Sequence, residues 1–212
     1  MNDETFHRVL AETARLLGDT DISHLFMGGI ASTTMGRERW THDIDVFVRP
    51  EDARRTLELL ADAGFDTRIH FPEWLYKAIK REVLVDIIFR STGDIYLDEE
   101  MLRRARVATF QDVRIPVISP EDLVVIKACV HTEAVPRHWH DGIALLARSD
   151  LDWDYLVRRA LAHAPDRVLS LLCYARSEGM PVPESAIAAL LEAGRGDRGS
   201  MEAGHTEPTE VA

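Results

Sequence analysis

The tightest constraint on this chain is Asp43-Ile44-Asp45, an acid pair that opens the apolar run Val46-Phe47-Val48. A β-strand sends alternate side chains to opposite faces, so the two carboxylates share one face while Ile44 and Val46 point into the core. Burying carboxylates without compensation is costly, and a divalent cation is the obvious compensating charge. At a strand rise of roughly 3.3–3.4 Å their Cα atoms lie about 6.7 Å apart. That spacing can bridge or flank two ions about 3.5–4 Å from each other. A third acid has the same setting: Asp86 is the one charge within Val83-Leu84-Val85-Asp86-Ile87-Ile88-Phe89. If the two strands are neighbours, Asp86 joins the pair on one edge of a sheet. Taken singly, each acid has a structural explanation, a turn cap for Asp43 or an arginine partner for Asp45 and Asp86. The three together favour a metal.

Upstream of the pair, Phe26-Met27 lead into Gly28-Gly29 and then Ile30–Met35, a helical turn or two. Glycine allows close approach of backbone to an anion, and the free N–H groups of a helix start favour phosphate. Ser32 lies one turn into that helix, where its hydroxyl can add a contact. A lone glycine pair more often marks a simple turn; its value here is that it shares one short segment with the acids. Arg37 and Arg39, in the loop Gly36–His42, can reach phosphate, although a mobile surface loop is the simpler reading.

The rest of the chain divides near residue 119. Before it, amphipathic helices at 3–17 and 51–63 alternate with short strands at 22–27, 43–49, 65–69, 74–79, 83–89, 107–110 and 113–118. Strands 74–79 and 83–89 read as a hairpin, with Lys77 and Lys80 facing a cleft. Ser119-Pro120-Glu121-Asp122 is a helix start, with proline at the first helical position and an acid three residues after the serine. Helices follow to about 130 and at 137–148, 152–163, 165–178 and 184–193. The resulting class is α+β: a mixed sheet flanked by helices over 1–118, a helical bundle over 119–193, and a polar disordered tail over 194–212. The apolar run 168–175 is core.

Composition narrows the function classes. The hydrophobic fraction of 46% supports a core, and a net charge of −11 argues against a general nucleic-acid binder. Arginine clusters at Arg103, Arg104 and Arg106 and at Arg158 and Arg159 still allow a local phosphate contact. No apolar run is long enough to span a membrane, and the acidic start is no secretory leader, which points to the cytoplasm. Cys129 and Cys173 read as buried free thiols. His131, His138 and His140 with Asp141 lack a known zinc spacing. Trp40, Trp74, Tyr76 and Trp139 can stack on a base, with hairpin packing the default for Trp74.

Gly28-Gly29, the spacer, Asp43-Ile44-Asp45 and the distal Asp86 together resemble the DNA polymerase β-like nucleotidyltransferase superfamily over roughly residues 22–90. Pro120-Glu121-Asp122-Leu123 with Lys127, and Arg137-His138-Trp139-His140-Asp141, look like a further element of bacterial subfamilies. These include the toxin-type enzymes of abortive-infection systems and related uncharacterised nucleotidyltransferases. Lys127 and Asp141 match that element, while Arg137 and His138 stand where lysine and aspartate are common.

The resemblance implies the nucleotidyltransferase fold and transfer of a nucleoside monophosphate from an NTP, ATP among them, to an acceptor hydroxyl with release of pyrophosphate. It makes Asp43, Asp45 and Asp86 the catalytic and metal-binding acids, for two Mg²⁺ ions or Mn²⁺. Gly28, Gly29, Ser32 and Lys127 become the nucleotide-binding residues; for Lys127 a solvated helix lysine is the equal alternative. The acceptor is RNA, protein or a small molecule, and a toxin-type role adds a cognate toxin–antitoxin partner. The rival readings are a catalytically idle antitoxin or binding partner, and a metal-stabilised structural domain. The intact acid triad counts against the first rival, and the glycine turn against the second.

Overall fold

The computed structural model describes residues 3–37 and 40–202, with side chains described through Gly194. The chain opens with α1 (Asp3–Gly18), β1 (His24–Phe26), α2 (Gly28–Thr34), β2 (Asp43–Val48) and α3 (Pro50–Asp62). A meander follows: β3 (Asp66–Phe71), β4 (Leu75–Lys80) and β5 (Val83–Ile88). Then come α4 (Glu99–Arg104), β6 (Arg106–Phe110) and β7 (Val113–Val117). The helical half is α5 (Pro120–Val130), α6 (Arg137–Arg148), α7 (Trp153–His163), α8 (Pro165–Ser177) and α9 (Glu184–Glu202).

The strands form one mixed sheet in the order β3-β4-β5-β2-β1-β7-β6. β2 pairs with β5 in parallel, and β1 with β7; the hairpins and the β1–β2 pair are antiparallel. Strand alternation separates the two faces. Ile44, Val85 and Ala78 lie side by side in register on one of them, fully buried. Lys80 points to that same face, where its ammonium meets Glu12 of α1 and the Ala63 carbonyl just after α3. α1 and α3 therefore cover this face, and the acids are left on the other. This corrects the placement of Lys80 in the cleft: its strand parity is opposite to that of Lys77.

The β4–β5 turn is the two-residue Arg81-Glu82, both in the left-handed region with φ of 50° and 66°. Paired positive φ values match the twist of an antiparallel hairpin. β6 and β7 close the same way through Gln111-Asp112.

α5 is buried all round. Every residue from Pro120 to Cys129 is buried, including Glu121, Asp122 and Lys127. Its start is held by reciprocal caps, since Ser119 Oγ accepts from the Asp122 amide and donates to Asp122 Oδ2 at 2.8 Å. Tyr155 donates its hydroxyl to Asp122, and Arg159 pairs with the same carboxylate at 2.8 Å. The Asp152 amide donates to Glu121. Each buried charge on α5 has a partner from a later helix, as burial requires. One continuous hydrophobic cluster includes Ile44 and Val85 of the sheet with Leu123, Leu145 and Leu171 of the helices.

Val168, Leu171, Leu172 and Ala175 are buried as the apolar run 168–175 demands. Cys129 is buried but Cys173 is exposed, which corrects one of the two thiols: Cys173 falls on the outer side of α8 beside Leu172. α9 continues past residue 193, where apolar periodicity stops, to Glu202. The disordered tail expected farther on, at 203–212, lies outside the described residues, as does Arg39. Among the described residues, no helix is long and apolar enough to cross a membrane.

Candidate active site

The parallel pairing of β2 with β5 assembles the acids. Asp45 lies directly opposite Asp86, and Asp43 opposite Leu84. One carboxylate oxygen from each of Asp43, Asp45 and Asp86 can be chosen so that all lie within 4.8 Å of one another, and all three residues are half-buried. Thr41 donates its hydroxyl to Asp43 Oδ1 at 2.9 Å. Lys77, in register with Asp86 on β4, places its ammonium 2.8 Å from Asp86 Oδ1.

Burial raises the Asp45 carboxyl to about 6, and the neighbouring Asp43 and Asp86 charges push the same way against the pull of Lys127 and the Gly29 N–H. Burial also raises Asp86, against the hydrogen bond from Lys77. Buried carboxyls raised in this way, with acid neighbours adding to the rise, mark a site short of positive charge. Hard carboxylate oxygens are the donors that Mg²⁺ and Mn²⁺ prefer. By chemistry and spacing, these residues fit a hard divalent ion.

The glycine turn belongs to the same unit. α2 starts at Gly28 directly after β1, and Gly28 has φ of +61°. A Cβ at Gly28 would stand 1.7 Å from Asp45 Oδ2. The Gly29 N–H hydrogen-bonds the Asp45 carboxylate, and the Met27 amide donates to the Asp45 carbonyl at 3.0 Å. Ser32 is fully buried and donates its hydroxyl to the Gly28 carbonyl at 2.8 Å. It braces the turn from behind and does not line the cleft.

α5 and α6 form the facing wall. Lys127 is only 4% exposed, which removes the solvated-lysine alternative. Its ammonium lies 2.9 Å from Asp141 Oδ2, and Asp141, fully buried, also pairs with Arg37. Arg37 in addition donates to the Arg137 carbonyl at 3.1 Å, so this arginine ties the loop before β2 to α6. Arg137 and His138 line the cleft with Lys127. His131 instead lies against Trp139.

Between the walls lies a cavity of about 640 Å³, within the size range of small-molecule sites. Gly28, Gly29, Asp43, Asp45, Asp86 and Lys127 all line it. So do Arg90 and Asp94, from the loop after β5, which the sequence reading passed over. Strand alternation carried one step further, from Asp86 through Ile88 to Arg90, would have found the arginine.

A mixed sheet that sets three carboxylates beside a glycine turn, under a helical wall with a buried lysine, defines a nucleotidyltransferase. Residues 1–178 match the family described as uncharacterised nucleotidyltransferase, and the chain belongs to that family; it is a transferase. No curated protein sequence matches it. Among solved structures it resembles ANT(2")-Ia in complex with adenylyl-2"-tobramycin: TM-score 0.54, 13% identity, 82% of this chain and 98% of that one. It also resembles the antigenic nucleotidyltransferase-like protein from Paracoccidioides brasiliensis: TM-score 0.52, 14% identity, 89% and 94% coverage. A third is the lincosamide antibiotic adenylyltransferase LnuA, lincomycin-bound: TM-score 0.50, 16% identity, 70% and 99% coverage. At these identities the likeness is one of fold.

Proposed function

We propose that the protein transfers a nucleoside monophosphate from an NTP to an acceptor hydroxyl. The acceptor oxygen bonds to the α-phosphorus, the bond from that phosphorus to the α–β bridging oxygen breaks, and pyrophosphate leaves. The observation that carries this reading is the approach of Asp43, Asp45 and Asp86 oxygens to within 4.8 Å of one another on the cleft floor. Asp43, Asp45 and Asp86 would hold the divalent ions, two Mg²⁺ or Mn²⁺ in their place. When bound, such ions neutralise charge on the triphosphate.

The chain's own groups do the rest. The Gly28-Gly29 turn keeps Asp45 in place and lets the β- and γ-phosphates approach the backbone, with Ser32 stiffening the turn. Lys127, fixed by Asp141, offers a cation to the phosphates from the facing wall. Asp86, raised by burial, accepts the proton of the acceptor hydroxyl, and Lys77 fixes the orientation of its carboxylate. Alignment and a preset electrostatic environment supply most of the rate enhancement.

The test is incubation with Mg²⁺, cell extract and each α-labelled NTP in turn, for the parent and for Asp45→Asn. The parent should label one class of molecule and release pyrophosphate, with the variant at least about a hundredfold slower. Equal labelling by the two proteins would sink the proposal. Label in RNA or protein fits a toxin-type role with a cognate partner; label in a small molecule fits a resistance role.

A further inference from the structure

The cleft continues past Asp86 onto β4, a flank that the donor half of the reaction leaves unused. Crossing the sheet from β4 to β1, the cleft meets Trp74 and Leu75, then Asp86 and Ile88, then the acid pair, then the glycine turn. In the transfer proposed above, the turn takes the triphosphate and Asp86 takes the acceptor's proton. The acceptor therefore lies on the β4 side of Asp86.

That side carries aromatic and aliphatic side chains. Trp74 stacks on Phe71 with ring centroids 5.2 Å apart and planes 11° from parallel. The two residues are 36% and 43% exposed, and Trp74 lines the cleft. Leu75 and Ile88, paired in register, continue the apolar floor toward Asp86. Two polar pairs border it, Asp86 with Lys77 at 2.8 Å and, at the exposed rim, Asp94 with Arg90 at 3.6 Å. A planar ring on the acceptor would find an aromatic face and aliphatic side chains to lie against.

We propose that Trp74, braced by Phe71, is a stacking platform for a planar heteroaromatic ring carried by the acceptor. This rests on the transfer reading and adds the acceptor's chemical class. Stacking on an exposed indole tolerates any base-like ring, because every such ring has a π-face.

The test follows the indole N–H signals of ¹⁵N-labelled protein as adenosine is added, with and without Mg²⁺ and the non-hydrolysable donor analogue AMPCPP. Trp74→Phe assigns the Trp74 signal. Adenosine should move that signal in both conditions, and the polycation tobramycin should leave it in place. Trp74→Ala should weaken adenosine binding by about tenfold or more, with AMPCPP affinity unchanged. The proposal falls if adenosine leaves the Trp74 signal unmoved or tobramycin moves it as far. It falls equally if Trp74→Ala lowers AMPCPP affinity, since the platform then serves the donor base. Failure of the transfer reading shows separately, as AMPCPP affinity indifferent to Asp45→Asn.

Discussion

Replacing Gly28 with alanine puts a methyl carbon 1.7 Å from Asp45 Oδ2 and asks an L-residue to hold φ of +61°. The backbone conformation alone should cost about 1–2 kcal/mol, and the clash must move Asp45. Gly28→Ala should thus lose stability in chemical denaturation and also lose Mg²⁺-dependent nucleotide binding. Parental binding in a destabilised variant would separate the glycine's structural role from the site. The raised carboxyl of Asp45 gives a second expectation. A folded-state value near 6, above the ordinary 3.8, means that the folded protein without metal holds a proton the unfolded chain releases. That contribution to stability is fully present below pH 3.8 and is lost as pH rises through about 6. A divalent ion must displace the same proton. Mg²⁺ should therefore raise the melting temperature more at pH 7.5 than at pH 5, and Asp45→Asn should flatten the difference.

α5 shows how much an element can depend on partners remote in sequence. Asp122→Ala removes the acceptor for Tyr155 and half the pairing of Arg159. The expected loss is about 3 kcal/mol, toward the low end for a broken buried pair because Asp98 still faces Arg159. Denaturant melts of Asp122→Ala and of Tyr155→Phe, which deletes one hydrogen bond, should differ by roughly 2 kcal/mol. The start of α5 was legible, because Ser119, Pro120 and Asp122 make a local capping pattern. Its burial was not: the partners that neutralise Glu121, Asp122 and Lys127, namely the Asp152 amide, Tyr155, Arg159 and Asp141, come from later in the chain. The acid strands were legible for the opposite reason, since a lone carboxylate in a β-branched run needs an explanation from its own neighbours. The hairpin turn was legible by position as Lys80-Arg81-Glu82, but Lys80 still pairs with Val83, and neither Arg81 nor Glu82 announces a left-handed backbone. The position of Ser32 one turn into α2 was legible, but not that its hydroxyl turns back to the Gly28 carbonyl, a bond that spacing alone does not show.

At the scale of the molecule, the buried cluster runs through both halves, and the cleft needs residues from each. We expect one cooperative thermal transition, the same by near-UV dichroism and by calorimetry. A fragment ending at residue 118 strips the sheet of the wall that carries Lys127. It should bind a dye for exposed apolar surface and fail to bind Mg²⁺-nucleotide; a soluble, nucleotide-binding fragment would show that the halves are independent domains.

The ion pairs of Asp141 with Lys127 and Arg37 also set a timetable. On the ribosome the acids of β2 and β5 emerge first, while the lysine opposite them arrives later and its carboxylate partner later still. Until Asp141 clears the exit tunnel, the growing chain has the acidic floor without the fixed cation that faces it, so the cleft is complete only when synthesis has passed well into the helical half.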